Sequence, residues 1–104
     1  VFLLGDHVAG HTARGRRGGA ENQEIENGLA ALAMLDAPAL AVIGNHDVWY
    51  GRDFITQALT EAGVGVLWNR HAIVPRAEGE FVVAGLEDPV TSRPDLRAAL
   101  DGAP

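Results

Sequence analysis

The chain contains no cysteine and no lysine, and its apolar runs are short. Without cysteine there is no disulfide framework, no thiolate zinc site and no cysteine nucleophile, a composition that fits a reducing compartment such as the cytoplasm. No apolar run approaches the ~20 residues of a membrane-spanning helix, so no span is expected. A basic segment followed by an apolar stretch and a small-residue cleavage site, the pattern of a signal peptide, is not visible. All eight basic residues are arginine and face 14 acids, for a net charge of −6. So acidic a chain is a poor generic binder of phosphate backbones, and nucleic acid is not an expected partner. Chemistry on a phosphate would need imported positive charge, and a metal ion is the natural source.

What is present is an ordinary globular balance, 104 residues with 47% hydrophobic and 21% charged, enough for one domain. Val1-Phe2-Leu3-Leu4 and Ala39-Leu40-Ala41-Val42-Ile43 are continuous apolar runs ended by glycine, the pattern of strands covered on both faces. Residues 9–20 are rich in glycine and arginine and read as a loop. Ile25, Leu29, Leu32 and Leu35 recur near helical spacing and predict a helix over 21–35, with Glu21, Glu24 and Glu26 suited to the positive end of its dipole. Phe54, Ile55, Ala58 and Leu59 predict a second helix over 53–62, stopped by Gly63. Three short strands over 64–68, 72–74 and 81–85 and a helix over 94–100 complete the row. Strand–helix alternation of this kind predicts an α/β fold with a largely parallel sheet.

Two places share one design, an apolar strand ending in glycine and followed at once by polar residues: Leu4-Gly5-Asp6 and Val42-Ile43-Gly44-Asn45-His46-Asp47. In a parallel sheet the carboxyl ends of neighbouring strands lie along one edge, where α/β folds place ligands. Asp6 is a carboxylate able to bridge two divalent ions, Asn45 offers a neutral carbonyl oxygen, and His46 can bind metal or move a proton. From chemistry alone the second motif reads equally as a turn, since Asn and Asp tolerate left-handed backbone, and a lone Gly-Asp is usually a turn.

Together the two motifs resemble the calcineurin-like metallophosphoesterase superfamily, whose pattern runs Asp-x-His, Gly-Asp, Gly-Asn-His-Asp/Glu, a later histidine, then Gly-His-x-His. The resemblance follows the element order of essentially the whole chain. It implies an α/β/β/α sandwich of which residues 1–104 form roughly the first half, a partial domain with both ends truncated. It implies hydrolysis of a phosphomonoester or phosphodiester through a metal-bridging hydroxide, with two divalent ions (manganese, iron or zinc) and a phosphate-ester substrate. By position, Asp6 matches the bridging metal ligand, Asn45 the ligand of the second metal, His46 the catalytic histidine that steadies the phosphoryl oxygen and protonates the leaving group, and Asp47 a supporting acid. The chain departs from the pattern where Asp-x-His and Gly-His-x-His are absent, and Ala9 stands where one branch has an acid that orients the histidine.

Other polar residues read more plainly. His71 begins a strand and is expected to be structural, and His7 and His11 to be loop histidines at the surface. Arg14, Arg16 and Arg17 are either a solvated loop or a lip for an anionic substrate, Trp49 and Tyr50 either wall the pocket or pack against a helix, and Glu87 and Asp88 end the last strand and are a candidate lining of the cleft. Two rivals to the enzyme are a scaffold of the same fold that has lost catalysis and an unrelated nucleotide-binding module. Against the second, neither strand is followed by Gly-x-Gly-x-x-Gly. Because strands such as Phe81-Val82-Val83-Ala84 carry apolar residues on both faces, one sheet face is expected to lack a cover within this chain and to drive self-association.

Overall fold

Two of the apolar runs lie side by side as parallel strands. In the computed structural model, which describes residues 1–8 and 19–104, β1 (Phe2–Leu3) pairs with β2 (Leu40–Ala41), and β2 pairs with β3 (Gly65–Val66). The register sets Phe2 opposite Leu40 and Ala41 opposite Val66. Backbone bonds extend the pairing beyond these short strands: Leu40 N–H donates to Val1 C=O at 3.0 Å, Val42 N–H to Leu3 C=O at 3.1 Å and Leu67 N–H to Ala41 C=O at 2.8 Å. Parallel pairing sends the residues after Leu3 and after Ala41 out at the same edge of the sheet.

Parallel neighbours need long crossovers, and both here contain helices. The connection from β1 to β2 holds α1 (Gly19–Ala30), and that from β2 to β3 holds α2 (Asn45–Glu61). Alternate residues of the second run, Ala41 and Ile43, join Leu29, Tyr50, Ile55 and Leu59 in the buried core. Ile55 and Leu59 are four residues apart and share one face of α2, which is why both reach the sheet. After Ala30 the first helix tightens into a 3₁₀ turn (Ala31–Met34), so Leu35 leaves the apolar stripe that α-helical spacing predicts and is exposed.

The second helix starts at Asn45 rather than Asp53. Asn45, His46 and Asp47, which read equally as a turn, form its first turn, and Gly51 (φ 154°, ψ 94°) breaks the helical geometry between two pieces. The break shifts the phase of the apolar pattern, so periodicity detects only the second piece.

The remaining strands do not extend the parallel sheet. β4 (Arg70–Arg76) and β5 (Gly79–Gly85) form a separate antiparallel hairpin with Arg76 opposite Gly79 and Arg70 opposite Gly85. A two-residue connection, Ala77-Glu78, can join only antiparallel neighbours, so the fold is mixed α/β with one small parallel and one small antiparallel sheet. The hairpin meets the sheet at Gly85, where an added Cβ would fall 2.9 Å from Val42 Cγ1 and 3.1 Å from Leu67 O. The last helix, α3 (Leu96–Leu100), is capped by Asp95, which accepts from Ala98 N–H at 2.9 Å, and is tied to β4 by His71 Nδ1–H donating to Ala99 C=O at 2.8 Å. No helix among the described residues is long and apolar enough to cross a membrane.

The expectation that the first strand is covered on both faces does not hold: Phe2 is 60% and Leu4 85% exposed. Helices cover one face of the three-stranded sheet, and the hairpin covers the other only in part. An open groove of about 450 Å³ remains, lined by Phe2, Leu40, Ile73 and Val74 among others.

Gly85→Ala should destabilise the fold by about 1–3 kcal/mol, because the methyl group has to displace the backbone of β5 or of Leu67, and a shift in the urea midpoint with unchanged slope would measure it. Sedimentation velocity should show concentration-dependent association that Ile73→Arg weakens; a concentration-independent monomer would mean that the exposed apolar face needs no cover.

Candidate functional site

Both polar motifs emerge at the carboxyl edge of the parallel sheet. After β1 the backbone turns through Gly5 (φ 94°) and Asp6 (φ 51°), two consecutive residues in the left-handed region. Glycine answers a second need here. A Cβ on Gly5 would fall 3.1 Å from Gly44 N, and one on Gly44 would fall 2.5 Å from Asp6 N and closer still to Asp6 Oδ1. The two strand ends approach so closely because neither glycine carries a side chain.

The close approach places Asp6 Oδ1 3.1 Å from the backbone N of His46, which donates to it. Asp6 is exposed, and Asn45 and His46 are half-buried at the start of α2. That hydrogen bond joins the Asp6 carboxylate to the backbone at the start of α2, so Asp6, Asn45 and His46 belong to one sheet edge. The His46 ring makes an edge-to-face contact with Trp49, centroids 5.2 Å apart and planes at 66°.

Asp47 holds this arrangement from beneath. Its side chain is fully buried, the one charged residue among the core positions described. Oδ1 accepts from His7 N–H at 2.8 Å and Val8 N–H at 3.3 Å, and Oδ2 accepts from Gly44 N–H at 2.9 Å. The last of these is the acid at the third helical position reaching back to the N-cap amide. The first two cross to the other motif. His7 completes the clamp with Nε2–H donating to Val42 C=O at 2.9 Å, and its ring lies 3.9 Å from Asp47 Oδ2.

His7, expected at the surface, is thus largely enclosed beneath the site. His71 is structural as expected, bound to the carbonyl of Ala99. Glu87 and Asp88 order their own loop, Glu87 Oε2 accepting from Arg93 N–H and Asp88 Oδ2 from Thr91 N–H and Oγ1–H. Asn69 closes the same loop, donating to Arg93 C=O and accepting from Glu87 and Asp95 N–H. The structure also divides the aromatic pair. Tyr50 is buried with its hydroxyl on Asn22 Oδ1, whereas Trp49 is 38% exposed. His11, Arg14, Arg16, Arg17 and Ala9 lie outside the described residues. The resemblance implies only a supporting acid at Asp47; the sequence signal for its clamp role is an acid three residues after an N-cap glycine, which marks a helix start.

The donor chemistry suits a hard divalent cation, with Asp6 offering a carboxylate and Asn45 a carbonyl oxygen. These are two donors, not a full shell, and among the described residues no group of three or more His, Cys, Asp or Glu side chains is arranged to hold a metal ion.

Asp47→Ala should cost about 3 kcal/mol or more, since it strands three backbone N–H donors in partly or wholly buried positions, and Asp47→Asn less, because one acceptor oxygen survives. Chemical denaturation checks the order, and hydrogen exchange at His7 and Gly44 should accelerate in both variants. Gly44→Ala should separate the strand ends, at about 1–3 kcal/mol, and shift the amide resonances of Asp6 and His46 more than those of the hairpin.

No protein family, no curated protein and no solved structure matches this chain, so the functional reading rests on the residues at these two strand ends.

Proposed function

We propose that this chain carries part of the site of a metal-dependent phosphoesterase of the calcineurin-like metallophosphoesterase type, acting on a phosphomonoester or phosphodiester. In this reading the helices and the parallel sheet are two layers of an α/β/β/α sandwich, and the β4–β5 hairpin begins the second sheet. The observation that supports it is the hydrogen bond from His46 N–H to Asp6 Oδ1, which brings the Gly-Asp and Gly-Asn-His-Asp motifs to one sheet edge.

Asp6 and Asn45 would hold the cations, Asp6 through its carboxylate and Asn45 through a neutral oxygen that adds no further negative charge. Two divalent ions (manganese, iron or zinc) supply, when bound, water acidified enough to attack and charge to offset that gathering on phosphorus. His46 stands beside Asp6 on the rim, where its imidazole donates a hydrogen bond to a phosphoryl oxygen and passes a proton to the departing oxygen. Asp47 touches neither substrate nor metal in this scheme. Its part is to hold residues 6–8 against residues 44–47, so that the carboxylate and the imidazole keep one spacing. The acidic balance of the chain is consistent with a site whose positive charge comes from ions.

Manganese provides a local test, because its paramagnetism broadens nearby NMR signals. Sub-stoichiometric Mn²⁺ should broaden Asp6, Asn45 and His46 before His71, Glu87 or Asp88, and Asp6→Asn should abolish the effect. Two donors make a weak site, with affinity on the order of millimolar, and hydrolysis of a simple phosphate ester by the chain alone should be negligible. Broadening centred elsewhere, or unchanged by Asp6→Asn, would overturn the reading.

A further inference from the structure

We propose that the outer edge of β5 is a self-pairing surface: two copies of the chain join antiparallel about a two-fold axis at Val82, and their hairpins form one four-stranded sheet. The proposal uses none of the strand-end residues, so it stands or falls apart from the phosphoesterase reading.

The register of the hairpin fixes which backbone groups face out. β4 and β5 pair without a break from Arg70 opposite Gly85 to Arg76 opposite Gly79. In an antiparallel ladder, pairs that exchange both hydrogen bonds alternate with pairs that exchange none. Pro75, opposite Glu80, has no N–H to give, so its pair is of the second kind. By alternation so are Ile73 with Val82 and His71 with Ala84. The N–H and C=O groups of Glu80, Val82 and Ala84 therefore point away from β4. β5 is an outer strand of its two-stranded sheet, and among the described residues none gives these groups a backbone partner. Glu80, Phe81, Val82 and Ala84 are all exposed.

The same parity makes the two edges of the hairpin unequal. On β4 the outward positions include Pro75, and a proline on an edge blocks strand addition by removing a donor. β5 contains no proline and a single charge, Glu80, beside the apolar stretch Phe81-Val82-Val83-Ala84. A long, apolar, exposed edge of this kind is a template for another strand.

The strand is matched to itself, which identifies the occupant as a second copy. Full overlap of two antiparallel copies of Gly79–Gly85 sets Val82 opposite the partner's Val82, Phe81 opposite the partner's Val83 and Glu80 opposite the partner's Ala84. At that register Val82 exchanges both hydrogen bonds with its counterpart, and Glu80 exchanges both with the partner's Ala84 on each side of the axis. The carboxylate of Glu80 then meets a methyl group and not another carboxylate. The row through the axis runs Ile73, Val82, the partner's Val82 and the partner's Ile73. These β-branched side chains are 45% and 37% exposed in the single chain and become cross-strand neighbours in the pair. One strand pair buries less than a standard interface, and a net charge of −6 on each copy opposes approach, so the association is weak and is read at high concentration.

Amide hydrogen exchange, read by NMR over a concentration series alongside sedimentation, tests the pairing. In the dilute chain the amides of Phe81 and Val83, bonded to β4, should exchange slowly and those of Glu80, Val82 and Ala84 fast. At the concentration where half the chains are paired, the fast set should slow by about 2-fold, because only unpaired chains leave those amides open. Val82→Lys and Val82→Glu should each associate about 5-fold more weakly, since like charges then face each other across the axis. An equimolar mixture of the two variants should recover the association, because opposite charges then meet. Slow exchange at Phe81 and Val83 shows that a variant's hairpin is intact; where it is not, the wild-type exchange pattern decides. A wild-type chain that stays monomeric at millimolar concentration would overturn the proposal. So would association that leaves Glu80, Val82 and Ala84 in fast exchange, or a mixture of intact variants no stronger than its components.

Discussion

One buried carboxylate ties the two halves of the candidate site together. Asp47 sits on α2 yet accepts two of its three backbone hydrogen bonds from His7 and Val8, residues that follow the first strand. Burying a charge is unfavourable unless hydrogen bonds replace the lost water, and here three N–H donors do so. The same bonds satisfy the amide at the helix start and the amides of a turn whose residues Gly5 and Asp6 lie in left-handed backbone. Remove the carboxylate and both the turn and the helix start lose partners at once. The position of Asp6 relative to His46 follows from this bonding.

The glycines make that clamp geometrically possible. Gly5 and Gly44 face one another across the strand ends, and the volume that a Cβ on Gly44 would occupy is filled by the Asp6 amide and carboxylate. The constraint is steric in origin and electrostatic in effect, because close approach brings the backbone N–H of His46 onto the Asp6 oxygen. With strands only two residues long by their ladder, the sheet alone would hold its edge loosely. The bonds beyond the ladder, from Val42 to Leu3 and from His7 to Val42, supply what the short strands do not.

The outer parts of the fold follow a different logic. The hairpin, α3 and the loop between them are stitched by polar residues: Asn69 bridges three backbone groups, and His71 holds the last helix. His71, Glu87 and Asp88 all carry chemistry-bearing side chains, and each holds hydrogen-bond partners in its own neighbourhood. Residue type alone does not separate such structural polar residues from site residues; their partners do.

The amino-acid sequence by itself determined the order of elements, because apolar runs ended by glycine and the 3.6-residue spacing of Ile55 and Leu59 are local properties of the chain. It also marked Asp6, Asn45 and His46 through the two strand-end motifs. Several features were legible only in three dimensions. The kink at Gly51 hid the first piece of α2, since a change of helical phase erases the periodicity that would reveal it. Separation of the hairpin from the parallel sheet depended on a two-residue connection and on Val42 and Leu67 closing over Gly85. Enclosure of His7, burial of Asp47 and the contrast between Tyr50 and Trp49 all arise from contacts between residues distant in sequence or on opposite sides of one helix. Local pattern decides which residues form a strand or a helix; which polar side chains end up buried, and which ring is left facing outward, is decided by close packing, which only the tertiary structure defines.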